Sequence, residues 1–189
     1  MDNSTTRIEY QGHVIIKVVS GNKILKNVKC HNEGTSWFSR LIASSVLGNN
    51  EGVNMPKYLD AGTVGENQGF TSCLSSRVQL TGKQLKKDTN STAWIASFTA
   101  VLPRKSINTG EGSITINQLQ VHSVNTGDDK LLATVNLGTG KAITVSASSK
   151  SSIIVVWEMK FITSVDETPA QTTNTSQESN ETETQSEGE

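Results

Sequence analysis

The spacing of apolar residues separates one helical stretch from a series of short strands. Only the segment 32–48 has apolar residues at helical spacing, and these are Trp37, Phe38, Leu41, Ile42 and Val46. Residues at such positions share one face, which indicates an amphipathic helix laid on a core. Thr35 or Ser36 is expected to cap its first turn, and Gly48 is expected to end it.

The residues before the helix predict a β-hairpin. Residues 13–19 form a β-branched run, 20–22 form a turn, and 23–31 return with lysines at alternating positions. This pattern is typical of two paired strands with one buried, apolar face and one solvent-exposed face. Residues 1–6 are polar and are expected to lie loosely outside the strands.

After the helix the pattern weakens before it becomes decisively β. Residues 73–81 predict an edge strand, and 82–92 predict a polar connection that carries the basic cluster Lys83, Lys86 and Lys87 in a turn. Residues 131–146 fit either a hairpin or a strand, a loop and a strand. Residues 151–162 form the most apolar segment, which predicts a central strand covered on both faces.

Two segments indicate how strand faces are arranged. In residues 93–102, one face carries Trp94, Ala96, Phe98 and Ala100. In residues 113–124, Ile114 and Ile116 are out of phase with Leu119 and Val121. Since one inserted residue moves the apolar side chains to the opposite face of the strand, we expect a bulge or a sharp bend near Asn117.

The fold class follows from the whole series of strands. About eight short strands separated by turns predict a mainly β protein, an antiparallel two-layer β-sandwich of jelly-roll type with one α-helix. Residues 166–189 consist of Thr, Ser, Gln, Asn and Glu with almost no apolar residue, and they predict a disordered acidic tail. The expected division is a sandwich domain at 1–165 and the tail at 166–189.

Charge and composition narrow the function classes. Seven of the 18 acidic residues lie in 166–189, which leaves 17 basic and 11 acidic residues and a charge of +6 in residues 1–165. The lysines alternate with apolar residues along strands, as on a solvated face, so nucleic acid is not the expected partner. No apolar run reaches the roughly 18 residues of a membrane span, and no secretory leader is visible. Synthesis inside the cell is expected, with Cys30 and Cys73 as reduced, packed thiols.

No arrangement of residues predicts catalysis, cofactor binding or a metal site. His13, His31 and His122 lie in three separate strands without the spacing of metal ligands. Cys30 and His31 point to opposite faces of a strand and therefore cannot act as a nucleophile and its base. Asp128–Asp129 and Gly138–Gly140 read as turns rather than a calcium or a phosphate loop. The three tryptophans, Trp37, Trp94 and Trp157, are expected in the core rather than on a sugar-binding surface.

Several short motifs follow one another in a recognisable order. A basic hairpin precedes Asn-x-Gly-Thr at 32–35 and the helix, and Met-Pro-Lys-Tyr-Leu-Asp-Ala-Gly follows at 55–62. The later motifs are Gly-x-Ile-Thr-Ile-Asn-x-Leu at 112–119, Leu-Leu-Ala-x-Val-Asn-Leu at 131–137, and Ile-x-Val-x-Trp-Glu-x-x-Phe at 153–161. Over residues 12–161 this order resembles small virion proteins of tailed bacteriophages of Gram-positive and gut bacteria. Gln118 departs from it, since an acid is usual there.

The resemblance implies a non-enzymatic structural protein of the phage particle. Its expected partners are other virion proteins of the tail, collar or capsid and copies of itself, with no membrane and no cofactor. Its expected location is the virion, assembled in the cytoplasm of the bacterial host. The alternative is a receptor- or glycan-binding module on a head or tail fibre, with a host surface glycan as ligand.

Overall fold

The computed structural model describes residues 5–46, 55–66, 69–110, 112–126, 131–138 and 140–166. These residues form a mainly β protein with one α-helix, as the sequence predicts. The elements in chain order are β1 (Thr5–Ser20), β2 (Lys23–Gly34), α1 (Ser36–Val46), β3 (Tyr58–Val64), β4 (Phe70–Ser72), β5 (Val78–Gln79), β6 (Thr81–Lys87), β7 (Trp94–Leu102), β8 (Ser113–Ile116), β9 (Gln118–His122), β10 (Ala133–Asn136), β11 (Ile143–Ser146) and β12 (Ser152–Asp166).

The strands form packed antiparallel sheets, which confirms the predicted fold class. The first layer has the order β2-β1-β12-β7-β6, and the second has the order β10-β9-β3 with β4 and β5 both paired to β3. The end of β2 also pairs with β10, so that this one strand joins the layers. A separate two-stranded sheet is formed by β8 and β11.

The core lies between the inner faces of the two layers. Val14 and Trp157 are paired across β1 and β12 and are fully buried. The second layer contributes Leu59, Leu119 and Val121 to the same core, all with at most 2% of their surface exposed. Burying each such side chain contributes about 1.5–3 kcal/mol to the stability of the sandwich.

Strand β12 is central, but it is not covered on both faces. It lies between β1 and β7, and its inward residues Val155 and Trp157 are buried. Its outward residues Ile154 and Val156 are only half-buried. The near-continuous apolar run has another cause: Val156 pairs with Ile15, and such apolar cross-strand neighbours shield each other on an outer face.

The predicted change of face at Asn117 is confirmed. Ile116 at the end of β8 and Leu119 in β9 are both buried, although they are three residues apart. The chain changes sheets between them, because β8 pairs with β11 whereas β9 pairs with β3 and β10. The Asn117 carboxamide accepts a hydrogen bond from Val64 N at 2.7 Å and donates one to Val64 O at 2.9 Å. These bonds fix the bend against the end of β3.

The ends of the first layer extend further than predicted. Thr5 and Thr6 belong to β1, where they pair with Asp166 and Val165 of β12. The prediction that residues 1–6 lie outside the strands is therefore wrong for these two, and Asp166 ends a strand rather than beginning a tail. Backbone pairing accounts for the error, since a long neighbouring strand offers a ladder that needs no apolar side chain.

Two predictions for the polar half of the chain also need correction. Residues 81–87 form β6, an edge strand paired with β7, and not a turn. Its side chains are all exposed, so that no apolar pattern marks it. The predicted strand at 73–81 is much shorter: it is reduced to Val78–Gln79, and Thr81 already belongs to β6. In 131–146 the second alternative holds, because β10 and β11 pair with different strands.

Helix α1 confirms the predicted amphipathic segment. Phe38 and Leu41 are buried, and Ile42 is packed against the core. The Thr35 carbonyl accepts a hydrogen bond of the first helical turn, from Phe38 N at 3.0 Å. Its hydroxyl does not cap that turn as predicted, because it donates to Leu131 O at 2.6 Å. With 11 residues, α1 is too short to span a membrane, and no other helix in the described residues could do so.

Some predictions fall on residues that the structure does not describe. Gly48 and Asp128–Asp129 lie there, as does the tail beyond Asp166. The side chains of Trp37 and Val46 are likewise outside the described part.

Candidate docking surface

The structure brings together two histidines that the sequence treats as separate. His13 and His31 are directly opposite each other on β1 and β2, with 4.7 Å between ring centroids. Burial lowers the pKa of His13, and the positive charge of Lys29 and the neighbouring His31 lower it further. His122 lies in the other layer, on β9. Among the described residues, no group of three or more His, Cys, Asp or Glu side chains is placed to hold a metal ion.

The cysteines are packed thiols, as expected. Cys30 and Cys73 are both buried and unbridged. The Cys73 thiol donates a hydrogen bond to Ala61 O at 3.0 Å. Burial, with a further contribution from the negative charge of Asp60, raises the pKa of Cys73 to about 11. This thiol is therefore protonated at neutral pH and is a poor nucleophile.

The tryptophans divide between the core and the surface. Trp157 is 1% exposed, which agrees with the prediction. Trp94 is 49% exposed, so its predicted place in the core is wrong. It does share a face with Ala96 and Phe98, but it lies at the outermost position of β7. An alternating pattern identifies the face of a strand and not how far the opposite layer extends over it.

An apolar groove opens beside the helix, on the inner face of the first layer. It lies between α1, the residues just before β3, and strands β7 and β12, with a volume of about 410 Å³. Its lining residues are Phe38, Leu41, Ile42, Ser45, Met55, Pro56, Ala96, Phe98, Met159 and Phe161. Apart from the Ser45 hydroxyl, the side chains of the groove offer only apolar and sulfur groups.

Aromatic packing holds the helix at a fixed position above the sheet. The Tyr10 ring lies 5.0 Å from Phe38 of α1 and 5.9 Å from Phe161 of β12, measured between centroids. Gly34 allows this approach, because a Cβ atom there would come within 3.2 Å of the Phe38 ring. The helix thus covers the β1 side of the inner face and leaves the β7 side open.

Exposed apolar residues extend the groove toward the sheet edge. Leu85 of β6 is opposite Ala96, so its side chain is on the groove face, and it is 69% exposed. Trp94 and Met55 are also about half exposed, at 49% and 56%. We call the groove together with Leu85 and Trp94 the apolar docking surface. One feature of the sequence indicates this surface, the single leucine Leu85 among the lysines of a polar segment.

Charged side chains lie on the opposite, outer face of the same strands. Lys86 pairs with Glu158 at 3.7 Å, and Lys160 pairs with Asp88 at 2.6 Å. The hydrogen bond from Lys160, with others from Ser91 and the backbone, lowers the pKa of Asp88 to about 2. In the described part of the chain, neither Lys83 nor Lys87 has a carboxylate partner.

The outer face of the second layer carries a connected set of polar side chains. Gln118 donates to Asn136 Oδ1 at 2.6 Å, and Gln120 donates to Gln118 Oε1 at 2.8 Å. Beside them the buried carboxylate of Asp60 accepts from Ala61 N at 2.8 Å and pairs with Arg77 at 3.4 Å. Since these groups satisfy one another, they form an ordered polar face rather than a reactive site.

Comparison with known proteins gives no family for this chain. No protein-family model, curated protein or solved structure matches it.

Proposed function

We propose that this chain is a structural subunit of a tailed-bacteriophage particle that works by docking rather than by catalysis. Its partners are neighbouring particle proteins and copies of itself, and it is assembled into the virion in the bacterial cytoplasm. The observation that carries the docking role is the apolar docking surface, which lies next to the exposed edge strand β6.

The composition of that surface suits a protein partner. Contiguous exposed apolar area on a folded domain is typical of interaction sites. Trp94 together with Met55 and Phe161 supplies the aromatic and Met side chains that are enriched at interface centres. Strand β6 adds unpaired backbone groups to which an incoming strand could bind.

The particle role rests on the motif resemblance. The matching segments hold structural positions in this chain: 112–119 contains the turn at Asn117, and 153–161 contains the buried Trp157. Segment 55–62 begins at the groove with Met55 and continues into β3. A resemblance in residues that determine bends and core packing supports a sandwich fold shared with those virion proteins. The apolar docking surface gives this chain a surface through which it can assemble.

Particle composition tests the proposed location. Phage particles are purified by density gradient from the host that carries this sequence, and their proteins are identified by mass spectrometry. The chain is expected to sediment with intact particles and to stay with them after a high-salt wash. Its presence only in the soluble fraction of the lysate would contradict the proposal.

A pair of double variants tests the docking surface. L85S/W94S removes two exposed apolar side chains from the surface, and the control I24S/L25S removes two side chains of similar exposure, 53% and 54%, from the β1–β2 hairpin. Incorporation into particles should fall by about tenfold or more in L85S/W94S, the scale of losing interface hot spots, and should be unchanged in the control. Equal incorporation of both variants would place docking elsewhere.

A glycan-binding module is the second candidate, favoured by the half-exposed Trp94 ring. Aromatic rings with one exposed face can pack on sugar rings. Screening the full-length protein against host-surface glycans, with W94F as the comparison, separates the two roles. Glycan binding that is lost in W94F would favour this second role, whereas a docking subunit shows no binding.

A further inference from the structure

The β1–β2 hairpin places two histidines side by side on the outer face of the first layer. His13 of β1 and His31 of β2 are directly opposite each other, and their ring centroids are 4.7 Å apart. Since the neighbouring Val14 is fully buried, both imidazoles lie on the solvent side of the sheet. His31 is exposed, His13 is half-buried, and both line a cleft of about 590 Å³. Dissolved ions can therefore reach the two rings.

The distance between the rings suits a single metal ion bound by both. An imidazole nitrogen binds a transition metal at about 2.0–2.1 Å. When two imidazoles bind the same ion, bond angles of about 90–110° at the metal place the ring centroids roughly 4.5–5.2 Å apart. The observed 4.7 Å lies within this range. Strand pairing already fixes the two backbone positions, so only side-chain torsions need to adjust when an ion binds.

The charges around the pair favour neutral imidazole and limit the affinity for a cation. Burial lowers the pKa of His13, and the positive charges of Lys29, His31 and Lys160 lower it further. A metal ion competes with the proton for imidazole, so a ring that is neutral at pH 7 is ready to bind. The two lysines repel a cation, whereas the carboxylate of Glu158, opposite His13 on β12, attracts it. Glu158, His13 and His31 thus form one row across three strands.

The type of donor atom selects the class of metal. Imidazole nitrogen suits zinc, copper and nickel, whereas magnesium and calcium take oxygen ligands. In the part of the chain that the structure describes, no third His, Cys, Asp or Glu converges with the pair. Water must therefore complete the coordination shell, and the affinity should be lower than that of a closed site with four protein ligands.

We propose that His13 and His31 together bind one divalent transition-metal ion across the β1–β2 hairpin, with water in the remaining coordination positions. The bound ion connects the two strands on their outer face. Because the two rings are brought together only by folding, the ion binds the folded chain in preference to the unfolded one and stabilises it. Binding at this pair does not depend on the proposed particle role.

Titration of the full-length protein with Zn²⁺ at pH 7.5, followed by NMR of the histidine rings, tests the site. The signals of His13 and His31 should shift together and saturate at one ion per chain. His122, which is 5% exposed and lies in the other layer, should not shift. Loss of an outer-shell group weakens metal binding by about 10–100-fold, so H13N and H31N, which each remove a ligand, should weaken it by at least about tenfold.

Charge variants separate a defined site from general attraction of the ion to the protein. K29Q removes a repelling charge and should tighten Zn²⁺ binding by about two- to threefold, and E158Q should weaken it by a similar factor. The control K150Q makes the same charge change as K29Q at an exposed position just before β12, far along the sheet from the pair, and should match the wild type.

Urea unfolding gives a second measurement. Saturating Zn²⁺ should raise the midpoint of the wild type and leave that of H31N unchanged, since His31 is exposed and its replacement does not disturb the core. Equal Zn²⁺ affinity of the wild type, H13N and H31N would overturn the proposal. It would also be overturned if Zn²⁺ left the His13 and His31 signals unmoved, or if K29Q and K150Q changed the affinity equally.

Discussion

The Asn117 clamp gives the most direct test of how the sandwich is held together. In Asn117→Ala, the carboxamide that accepts from Val64 N and donates to Val64 O is lost, while the backbone bonds of residue 117 to Gly62 O and Leu137 N remain. Each side-chain hydrogen bond contributes about 0.5–1.5 kcal/mol net, so the loss of both should cost about 2 kcal/mol. Both residues are half-buried, so water can reach Val64 and limit the penalty.

Urea unfolding measures this cost. We expect a lower midpoint for Asn117→Ala with an unchanged slope, and a melting temperature lower by about 4–8 °C for a domain of this size. Asn117→Asp should be destabilised as well, because its carboxylate keeps the acceptor but faces the Val64 carbonyl. Asn27→Ala, at an exposed position on β2, is the control and should lie within about 0.5 kcal/mol of the wild type. If Asn117→Ala unfolds like this control, the clamp does not hold the bend.

Three further predictions concern titratable groups. The lowered pKa of His13 means that the unfolded chain binds a proton more tightly than the folded chain does. The free energy of unfolding should therefore fall as the pH drops below about 6.5, and it should fall less in His13→Asn. Urea midpoints at pH 7.5 and 5.5 measure this difference. The pKa of Asp88 is about 2, so the ionised carboxylate stabilises the fold at pH values above 3.8, the ordinary pKa of an aspartate, and this contribution is lost as the pH falls toward 2. In Asp88→Asn, which weakens the contact with Lys160, less stability should be lost between pH 4 and pH 2 than in the wild type. The Cys73 thiol should react with a disulfide reagent only after unfolding in urea, and rapid reaction in the native state would contradict its burial.

The parts of the fold that the sequence predicts are those where side-chain burial sets the pattern. Helix α1 follows from a stripe that includes Phe38 and Leu41, because a surface helix needs one apolar face. The bend at Asn117 follows from the shift of phase between Ile116 and Leu119, since strands alternate strictly. In both cases the spacing rule of the helix or strand and the packing of the whole domain require apolar residues at the same positions.

The parts that the sequence does not predict depend on backbone pairing or on distant neighbours. Strand β6 has seven exposed residues, and only its hydrogen bonds to β7 make it a strand. The meeting of His13 and His31 depends on the register of the hairpin, which includes an irregularity between Val18 and Val19. Trp94 has the pattern of a core residue, yet its exposure depends on where the second layer ends.

The unequal lengths of the strands explain why this sandwich has an apolar docking surface at all. In the first layer, β7 has nine residues and β12 has 15, whereas β9 and β10 of the second layer have five and four. The shorter layer cannot cover the whole inner face, so the remainder needs another cover. Helix α1 covers the part around Tyr10 and Phe161, and nothing described covers Leu85 and Trp94. Exposed apolar area of this kind is typical of interaction sites, which is the role that the proposed function gives to this surface.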